Sequence, residues 1–136
     1  MSKRPRILIA DDHPGVTNAV CRLLAPECDV VGTVADGRAV LEATRRLLPD
    51  LILVDLNLPN VNGLEACRQI KREYPEAKVI VFSAMNDPEV QQQCLDVGAS
   101  AFLFKAMADD LPATVKRLCN GETDANSGVD PRRQTS

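Results

Sequence analysis

The sequence predicts an α/β protein built on a parallel β-sheet with helices on both faces. Short apolar runs bounded by Pro, Gly, Asn or Asp alternate five times with segments whose apolar residues recur at helical spacing. Residues 51–54 are apolar at every position, which is typical of a strand buried on both faces of a parallel sheet. Strict alternation of strand and helix also implies right-handed crossovers between neighbouring parallel strands.

Five strands are predicted, and four of them end at a polar side chain. The first covers residues 6–10 and runs into two adjacent acids, and the second covers residues 29–34. The second is interrupted by Gly32 and is poor in apolar residues, so it is placed at an edge of the sheet. The third ends at Asp55, the fourth covers residues 78–84, and the fifth covers residues 101–105.

Five helices are predicted from apolar spacing and from start and stop signals. Pro or Gly ends the first four, and the last runs to Cys119. The predicted starts are Val16, the Asp36-Gly37 turn, the cap Asn62 with Glu65 three residues on, Asp87-Pro88, and a cap at Asp109 or Asp110. The predicted buried stripes include Ala19 in the first helix, Leu48 in the second and Cys119 in the last.

Composition excludes several classes of function. Sixteen basic and 19 acidic residues give a net charge of -3, which provides no basic surface for nucleic acid or an anionic membrane. No apolar run approaches the roughly 20 residues of a membrane span, and residues 7–10 are too short a run for a signal peptide. We therefore expect a cytoplasmic protein.

The cysteines and the C-terminal segment complete the outline. The five cysteines have no C-x-x-C spacing and only one histidine to join them, so they are interpreted as small core hydrophobes rather than a zinc site. Residues 120–136 contain only Ala125 and Val129 as apolar residues. We expect a folded domain over residues 1–120 and a linker or disordered tail over residues 121–136.

Polar residues at the strand ends form the candidate site. Asp11, Asp12 and Asp55 converge if strands one and three are neighbours, and three such charges repel unless a cation joins them. Carboxylate oxygens suit a hard divalent ion such as Mg²⁺, which in turn suits a phosphoryl group. Asp55 is then a candidate nucleophile that forms an aspartyl-phosphate, Lys105 offsets its charge, and Ser83 donates a hydrogen bond to it.

Each of these candidate site residues also has an ordinary structural interpretation. Asp55 is equally well explained by capping of the following turn, and the two acids after strand one by a solvated loop. Lys105 is alternatively a surface lysine, and Ser83 a residue that merely precedes a helix. His13 is interpreted as a loop residue beside the acids, with a direct catalytic role as the lesser alternative.

Four motifs in order resemble a known family. They are Asp11-Asp12, the run from Val54 to Pro59 with Gly63, Ser83-Ala84, and the run from Gly98 to Lys105. Over about residues 6–120 the chain resembles the receiver domain of a two-component response regulator. The Asp11-Asp12-His13-Pro14 start resembles the subgroup whose receivers precede a LuxR-type DNA-binding helix-turn-helix.

The resemblance implies a flavodoxin-like fold with five parallel strands in the order 2-1-3-4-5. It implies that Asp55 is the phosphoacceptor and that Asp12, Asp55 and the backbone carbonyl of Asn57 bind Mg²⁺ directly, with Asp11 acting through water. Ser83 and Lys105 match the family's hydroxyl and lysine positions. Phe102 matches its switch aromatic, although a strand aromatic is just as often fixed core packing.

The resemblance also implies partners and an output. A sensor histidine kinase donates the phosphoryl group, a homodimer forms on phosphorylation, and DNA is bound only through an output domain that this chain lacks. A stand-alone phosphorelay protein is the alternative. Two other classes remain: a phosphohydrolase, which needs an acid where Asn57 stands, and an unphosphorylated interaction module, which does not need the complete set of acids.

Overall fold

The computed structural model of the protein describes residues 4–120. Strands and helices alternate along the chain, and a 3₁₀ turn, Lys105–Asp110, precedes the last helix. The elements are β1 (Arg6–Ala10), α1 (Pro14–Leu24), β2 (Asp29–Val34), α2 (Gly37–Leu47), β3 (Leu51–Asp55), α3 (Gly63–Glu73), β4 (Lys78–Ser83), α4 (Pro88–Asp96), β5 (Ala101–Phe104) and α5 (Leu111–Cys119).

The five strands form one parallel sheet in the order β2-β1-β3-β4-β5, which confirms the predicted fold class and strand order. β2 lies at an edge, as its interrupted apolar pattern predicts. β1 and β3 are neighbours, with Ile7 opposite Leu51 and Ala10 opposite Val54. This register brings the residues that follow Ala10 beside Asp55, the last residue of β3.

Helices cover both faces of the sheet, and alternate strand residues point to each face. Ile7 and Ile9 belong to a cluster with buried residues of α1 and α5. Leu8 and Ala10 belong to a second cluster with residues of α2, α3 and α4. The core is aliphatic as the composition predicts, and Phe82 is its one fully buried aromatic residue among residues 4–120.

Side-chain caps fix three of the helix starts. The side chain of Asp36 accepts from Ala39 N at 2.8 Å, and that of Asn62 accepts from Glu65 N at 2.9 Å. Asp87 caps α4 in the same way, ahead of Pro88. These caps confirm the predicted starts, because each side chain satisfies a backbone N–H that the first helical turn leaves free.

The last helix begins directly after Asp110, one of its two predicted caps, but without the predicted side-chain capping bond. β5 ends at Phe104, and residues Lys105–Asp110 form the 3₁₀ turn. Neither predicted cap operates: Asp110 has helical dihedral angles and makes no side-chain capping bond, and its carbonyl accepts from Thr114 Oγ1 at 3.0 Å. The chain is already helical before α5, so α5 has no free first turn for a side chain to cap.

Three residues predicted in buried stripes are exposed. α2 ends at Leu47, and Leu48 turns into the left-handed region with φ 49°, which leaves its side chain 59% exposed. Ala19 and Cys119 also face solvent. Helical spacing applies only while the helix continues, so it misplaces Leu48 and Cys119, which lie at or beyond a helix end. Ala19 lies inside α1, and its exposure has no such cause.

No helix within residues 4–120 has the length to cross a bilayer; the longest have 11 residues. The predicted tail, residues 121–136, lies outside the described residues.

Candidate functional site

Three carboxylates meet at the rim where the strands end. Asp55 is the last residue of β3 and is 2% exposed, and Asp11 follows β1 and is 5% exposed. Asp12 is the outermost, with 37% of its side chain exposed. Together with a ring nitrogen of His13, one oxygen of each acid lies within 4.8 Å of the others. The structure therefore brings together the three acids that the sequence places at neighbouring strand ends.

Each buried acid has one bonded and one unbonded oxygen. Asp11 Oδ1 accepts from His13 N at 2.8 Å, and Asp55 Oδ1 accepts from Asn57 N at 3.2 Å. The Oδ2 atoms of Asp11 and Asp55 are fully buried and receive no hydrogen bond from the described residues. Buried carboxylate oxygens without a donor are costly, so this pair calls for a cation or another ligand.

Lys105 supplies part of the missing positive charge. Its ammonium nitrogen lies 3.0 Å from Asp11 Oδ2 and 3.3 Å from Asp55 Oδ2, and its side chain is 16% exposed. These are ion-pair distances, so one ammonium group offsets the charge of two buried acids. The same nitrogen lies 5.6 Å from the centre of the Phe82 ring, a favourable place for a cation.

His13 lies closer to the acids than a loop role requires. Its Nδ1 atom lies 3.0 Å from Asp11 Oδ1, 3.1 Å from Asp12 Oδ1 and 3.8 Å from Asp55 Oδ2. The ring is 61% exposed on its other side. From the sequence, His13 is predicted mainly as a loop residue and only secondarily as a site residue, although its position directly after the two acids is a usable signal.

The Ser83 hydroxyl is bonded to Met85, and Phe102 lies within β5. Ser83 ends β4 and is 1% exposed, and its hydroxyl both donates to Met85 O and accepts from Met85 N at 3.1 Å. Phe102 lies opposite Val81 within β5, half-buried against the cluster that contains α4. The Ser83 hydroxyl lies at the same end of the sheet as the acids, whereas Phe102 lies two residues before the end of β5.

Gly63 holds the loop after Asp55 against the sheet. A methyl group at Gly63 would collide with the carbonyl oxygen of Asp55 and lie 2.7 Å from the Cα atom of Leu56. Gly63 N also donates to Leu56 O at 2.8 Å. The close approach needs a residue without a side chain, and it fixes the loop that carries Asn57.

These residues fit a hard divalent cation. The donor set is rich in carboxylate oxygen, which Mg²⁺ prefers, and two buried oxygens have no hydrogen bond to lose. Lys105 alone balances one of three negative charges. The acids, the backbone carbonyl of Asn57 and an ion would together form a closed polar cluster at the sheet rim.

The cysteines take no part in this site. Burial raises the pKa of the Cys67 thiol to about 12 and that of the Cys94 thiol to about 11, so both stay protonated and inert at neutral pH. Cys28 is also buried, as predicted, whereas Cys21 is half-buried.

Comparison with known proteins gives this geometry a family. The model of the family described as the response regulator receiver domain matches residues 7–116. Transcriptional regulatory protein DegU of Brevibacillus brevis is 41% identical over 119 residues, which cover 85% of this chain and 50% of DegU. The chain spans about half the length of the curated relatives it matches.

Solved structures agree with the fold. The signal receiver domain of NarL from Mycobacterium tuberculosis superposes with a TM-score of 0.83 at 30% identity, covering 89% of this chain and 100% of that one. A two-component response regulator of the LuxR family from Aurantimonas sp. SI85-9A1 superposes with a TM-score of 0.84 at 27% identity, covering 89% of each chain. The similarity to LuxR-type regulators agrees with the resemblance of the Asp11-Asp12-His13-Pro14 start.

Proposed function

The chain belongs to the response regulator receiver domain family, and on that premise we propose that it is a phosphorylation-driven switch with Asp55 as its phosphoacceptor. One observation carries the proposal. Asp55 Oδ2 is buried, receives no hydrogen bond and lies 3.3 Å from Lys105 Nζ, so a nucleophilic oxygen and a charge-neutralising cation are already paired.

The chemical step is a phosphoryl transfer from a phosphohistidine on a sensor histidine kinase. Asp55 Oδ2 attacks phosphorus, the new O–P bond forms as the P–N bond breaks, and the electron pair leaves with the imidazole, which takes up a proton. Lys105 follows the charge from Asp55 to the phosphoryl oxygens with little movement, because its nitrogen already lies between the two buried acids.

Mg²⁺ is the proposed cofactor, held by Asp12, Asp55 and the backbone carbonyl of Asn57, with Asp11 acting through water. When bound, the ion neutralises negative charge on the carboxylates and on the transferring group. Asp11 also places His13 through the 2.8 Å bond from His13 N, and Asn57 N orients the carboxylate of Asp55. The chain's own contacts thus preorganise the acids.

The switch is a change in the partner of the Ser83 hydroxyl. In the described conformation this hydroxyl is bonded to Met85, in the loop between β4 and α4. A phosphoryl group on Asp55 brings about two negative charges and strong acceptors. Ser83 then donates to the phosphoryl group, its loop moves inward, and Phe102 turns into the space. The surface formed by α4, β5 and α5 changes its affinity for partners, including a second copy of the chain.

The output is transcription, because the matched relative DegU is named a transcriptional regulatory protein. DNA contact belongs to an output domain and not to this receiver, whose net charge is -3. The phosphohydrolase alternative lacks its second acid: the side chain at that position, Asn57, is exposed, and its backbone N–H serves to orient Asp55.

The test is labelling with a small phosphodonor such as acetyl phosphate in the presence of Mg²⁺, read by intact-protein mass. We expect one phosphoryl group on the parent chain and none on Asp55→Asn. Asp109→Asn, at an exposed acid of the 3₁₀ turn, is the control and should label like the parent. Equal labelling of Asp55→Asn and the parent contradicts the assignment, and rapid turnover of phosphomonoesters favours the hydrolase.

A further inference from the structure

We propose that His13 is a direct ligand of the divalent ion and gives this site a preference for Mn²⁺ and similar transition metals over Mg²⁺. The inference rests on the proposed function, because it uses the same three carboxylates. It assigns a metal-specificity role to the residue that the sequence analysis left as loop structure.

The distances around His13 Nδ1 are those of neighbouring ligands in one coordination shell. Ligands about 2.1 Å from an octahedral ion lie about 3.0 Å from their neighbours. Nδ1 lies 3.1 Å from Asp12 Oδ1 and 3.8 Å from Asp55 Oδ2, which belong to the two acids proposed as direct ligands, and it shares a 3.0 Å hydrogen bond with Asp11 Oδ1. An ion that contacts the acids at this rim therefore has the imidazole nitrogen within reach.

The backbone holds the ring in this position. His13 is the residue before α1, its N–H donates to Asp11 Oδ1, and Pro14 fixes the chain direction immediately after it. The outer part of the ring is open to water, since 61% of the side chain is exposed. Nδ1 shares a hydrogen bond with Asp11 Oδ1; an ion that binds Nδ1 replaces that contact, and Nε2 then carries the ring hydrogen toward solvent.

The donor type decides the metal preference. A site of carboxylate, carbonyl and water oxygens suits Mg²⁺, whereas an imidazole nitrogen adds affinity for first-row transition metals. Asp11 Oδ2 and Asp55 Oδ2 are buried without hydrogen bonds, which is an independent sign that this cluster is shaped for a ligand. The competing interpretation is that the ring only pairs with the acids and leaves when an ion binds.

Electron spin echo envelope modulation of bound Mn²⁺ separates these interpretations. His13 is the sole histidine of the sequence, so an imidazole nitrogen signal from the tag-free chain comes from this residue alone. We expect a directly coordinated imidazole nitrogen in the parent chain and its loss in His13→Ala. The exposed ring makes this variant safe for folding, which circular dichroism checks.

Affinities measured by titration calorimetry provide the second readout. Removing His13 should weaken Mn²⁺ binding about tenfold or more and Mg²⁺ binding by less than about threefold, since loss of a nitrogen ligand affects the transition metal most. His13→Gln, which restores an oxygen donor, should keep Mg²⁺ affinity without recovering the preference for Mn²⁺. Asp12→Asn is the matched control and should weaken both ions alike.

The outcomes distinguish this inference from the proposed function. A parent chain that binds Mn²⁺ in an Asp12-dependent manner without an imidazole signal overturns the role of His13 and leaves the acidic site standing. An unchanged Mn²⁺-to-Mg²⁺ preference in His13→Ala overturns it as well. Binding of neither ion, or binding that Asp12→Asn does not weaken, contradicts both. Normal metal binding without labelling of Asp55 contradicts only the phosphoacceptor assignment.

Discussion

The two rims of the sheet both place carboxylates beside basic side chains, and they treat them in opposite ways. Where the strands begin, Asp50 is exposed and its Oδ2 accepts from Arg6 N at 2.8 Å, while the Arg6 side chain binds carbonyls at the end of α2. Where the strands end, Asp11 and Asp55 are buried, and each keeps one oxygen without a hydrogen bond.

We interpret the charges at the rim where strands begin as stabilising the fold, and the buried acids at the other rim as proposed ligand contacts. A polar group with all its bonds made inside the chain contributes to stability, whereas a buried group without a donor lowers it until a ligand arrives. The rim where strands begin is complete by itself. At the rim where strands end, the single positive charge of Lys105 faces two buried acids, with Asp12 beside them, which is why we propose the chemistry there.

The largest expected effect comes from the close packing that supports the site. Gly63→Ala puts a methyl group against the backbone of Asp55 and Leu56, where backbone atoms cannot give way as a flexible side chain does. We expect a loss of about 3 kcal/mol in the free energy of unfolding, at the upper end for overpacking. Urea unfolding followed by circular dichroism measures it.

Gly15→Ala is the matched control, also a glycine in the first turn of a helix. Nothing lies within 4 Å of a methyl group at Gly15, and it lies in α1. Its replacement should leave stability unchanged or raise it by up to about 1 kcal/mol, because alanine is the better helix former. Similar losses in the two variants would contradict the role of the close approach to Asp55, because helix propensity alone favours alanine at both positions.

A charge removed from each rim should change stability with opposite sign. Without divalent ions, Asp12→Ala relieves repulsion among three acids and should raise the free energy of unfolding by about 1 kcal/mol. Asp50→Ala removes the acceptor of Arg6 N and should lower it by about 1 kcal/mol. Urea titrations in the presence of a chelator give both values.

Adding Mg²⁺ sharpens this contrast. At a hundred times its dissociation constant the ion should stabilise the parent and Asp50→Ala by about 2.7 kcal/mol, because it binds only the folded chain. Asp12→Ala should lose most of this gain and become less stable than the parent. Equal stabilisation of all three chains would show that Mg²⁺ does not act at the acidic rim.

The smallest effect is expected at an exposed ion pair on the rim where strands begin. Arg45 binds Glu73 through two 3.0 Å bonds, and Glu73 lines the same cleft as Asp50. The hydrogen bond from Arg45 lowers the pKa of Glu73, so the pair stabilises the fold above the carboxyl's unfolded pKa and is lost as pH falls. Glu73→Gln should lower the melting temperature slightly at neutral pH.

High salt and acid provide the controls for this pair. In 1 M salt, where screening acts within about 3 Å, the difference between Glu73→Gln and the parent should disappear, and it should also disappear at acid pH. A large difference that salt does not reduce would mean that this rim depends on charge as strongly as the site does.

Local signals predicted the fold well and failed where a helix ended early. The caps Asp36, Asn62 and Asp87 act within three residues, so the sequence alone is enough to predict them. Leu48 fits the helical spacing of α2, and only the left-handed turn after Leu47 moves it outward. Pro49 marks the end of α2, because a residue before proline is disfavoured in the helical region, but it does not show which way the Leu48 side chain points.

The site was predictable to the level of strand ends and no further. Asp11, Asp55 and Lys105 follow from apolar strands and a parallel order, since such strands end at one rim. The reach of Lys105 across Phe82 and the bonds between Ser83 and Met85 depend on side-chain directions that spacing does not encode. The same holds for His13: the sequence shows that it follows two acids, but it does not show how its ring is oriented.

The pairing of β1 with β3 has a consequence for how the protein acquires its activity. Asp11 follows β1 and Asp55 ends β3, and β2 and α2 lie between them in the chain, so neither strand carries the acidic cluster by itself. β1 and β3 must pair before the acids come together. Pairing of strands that are distant in the chain is slow, because the intervening loop must first be closed. On the proposed function, we therefore expect partly unfolded chains, in which β1 and β3 are not paired, to accept no phosphoryl group on Asp55.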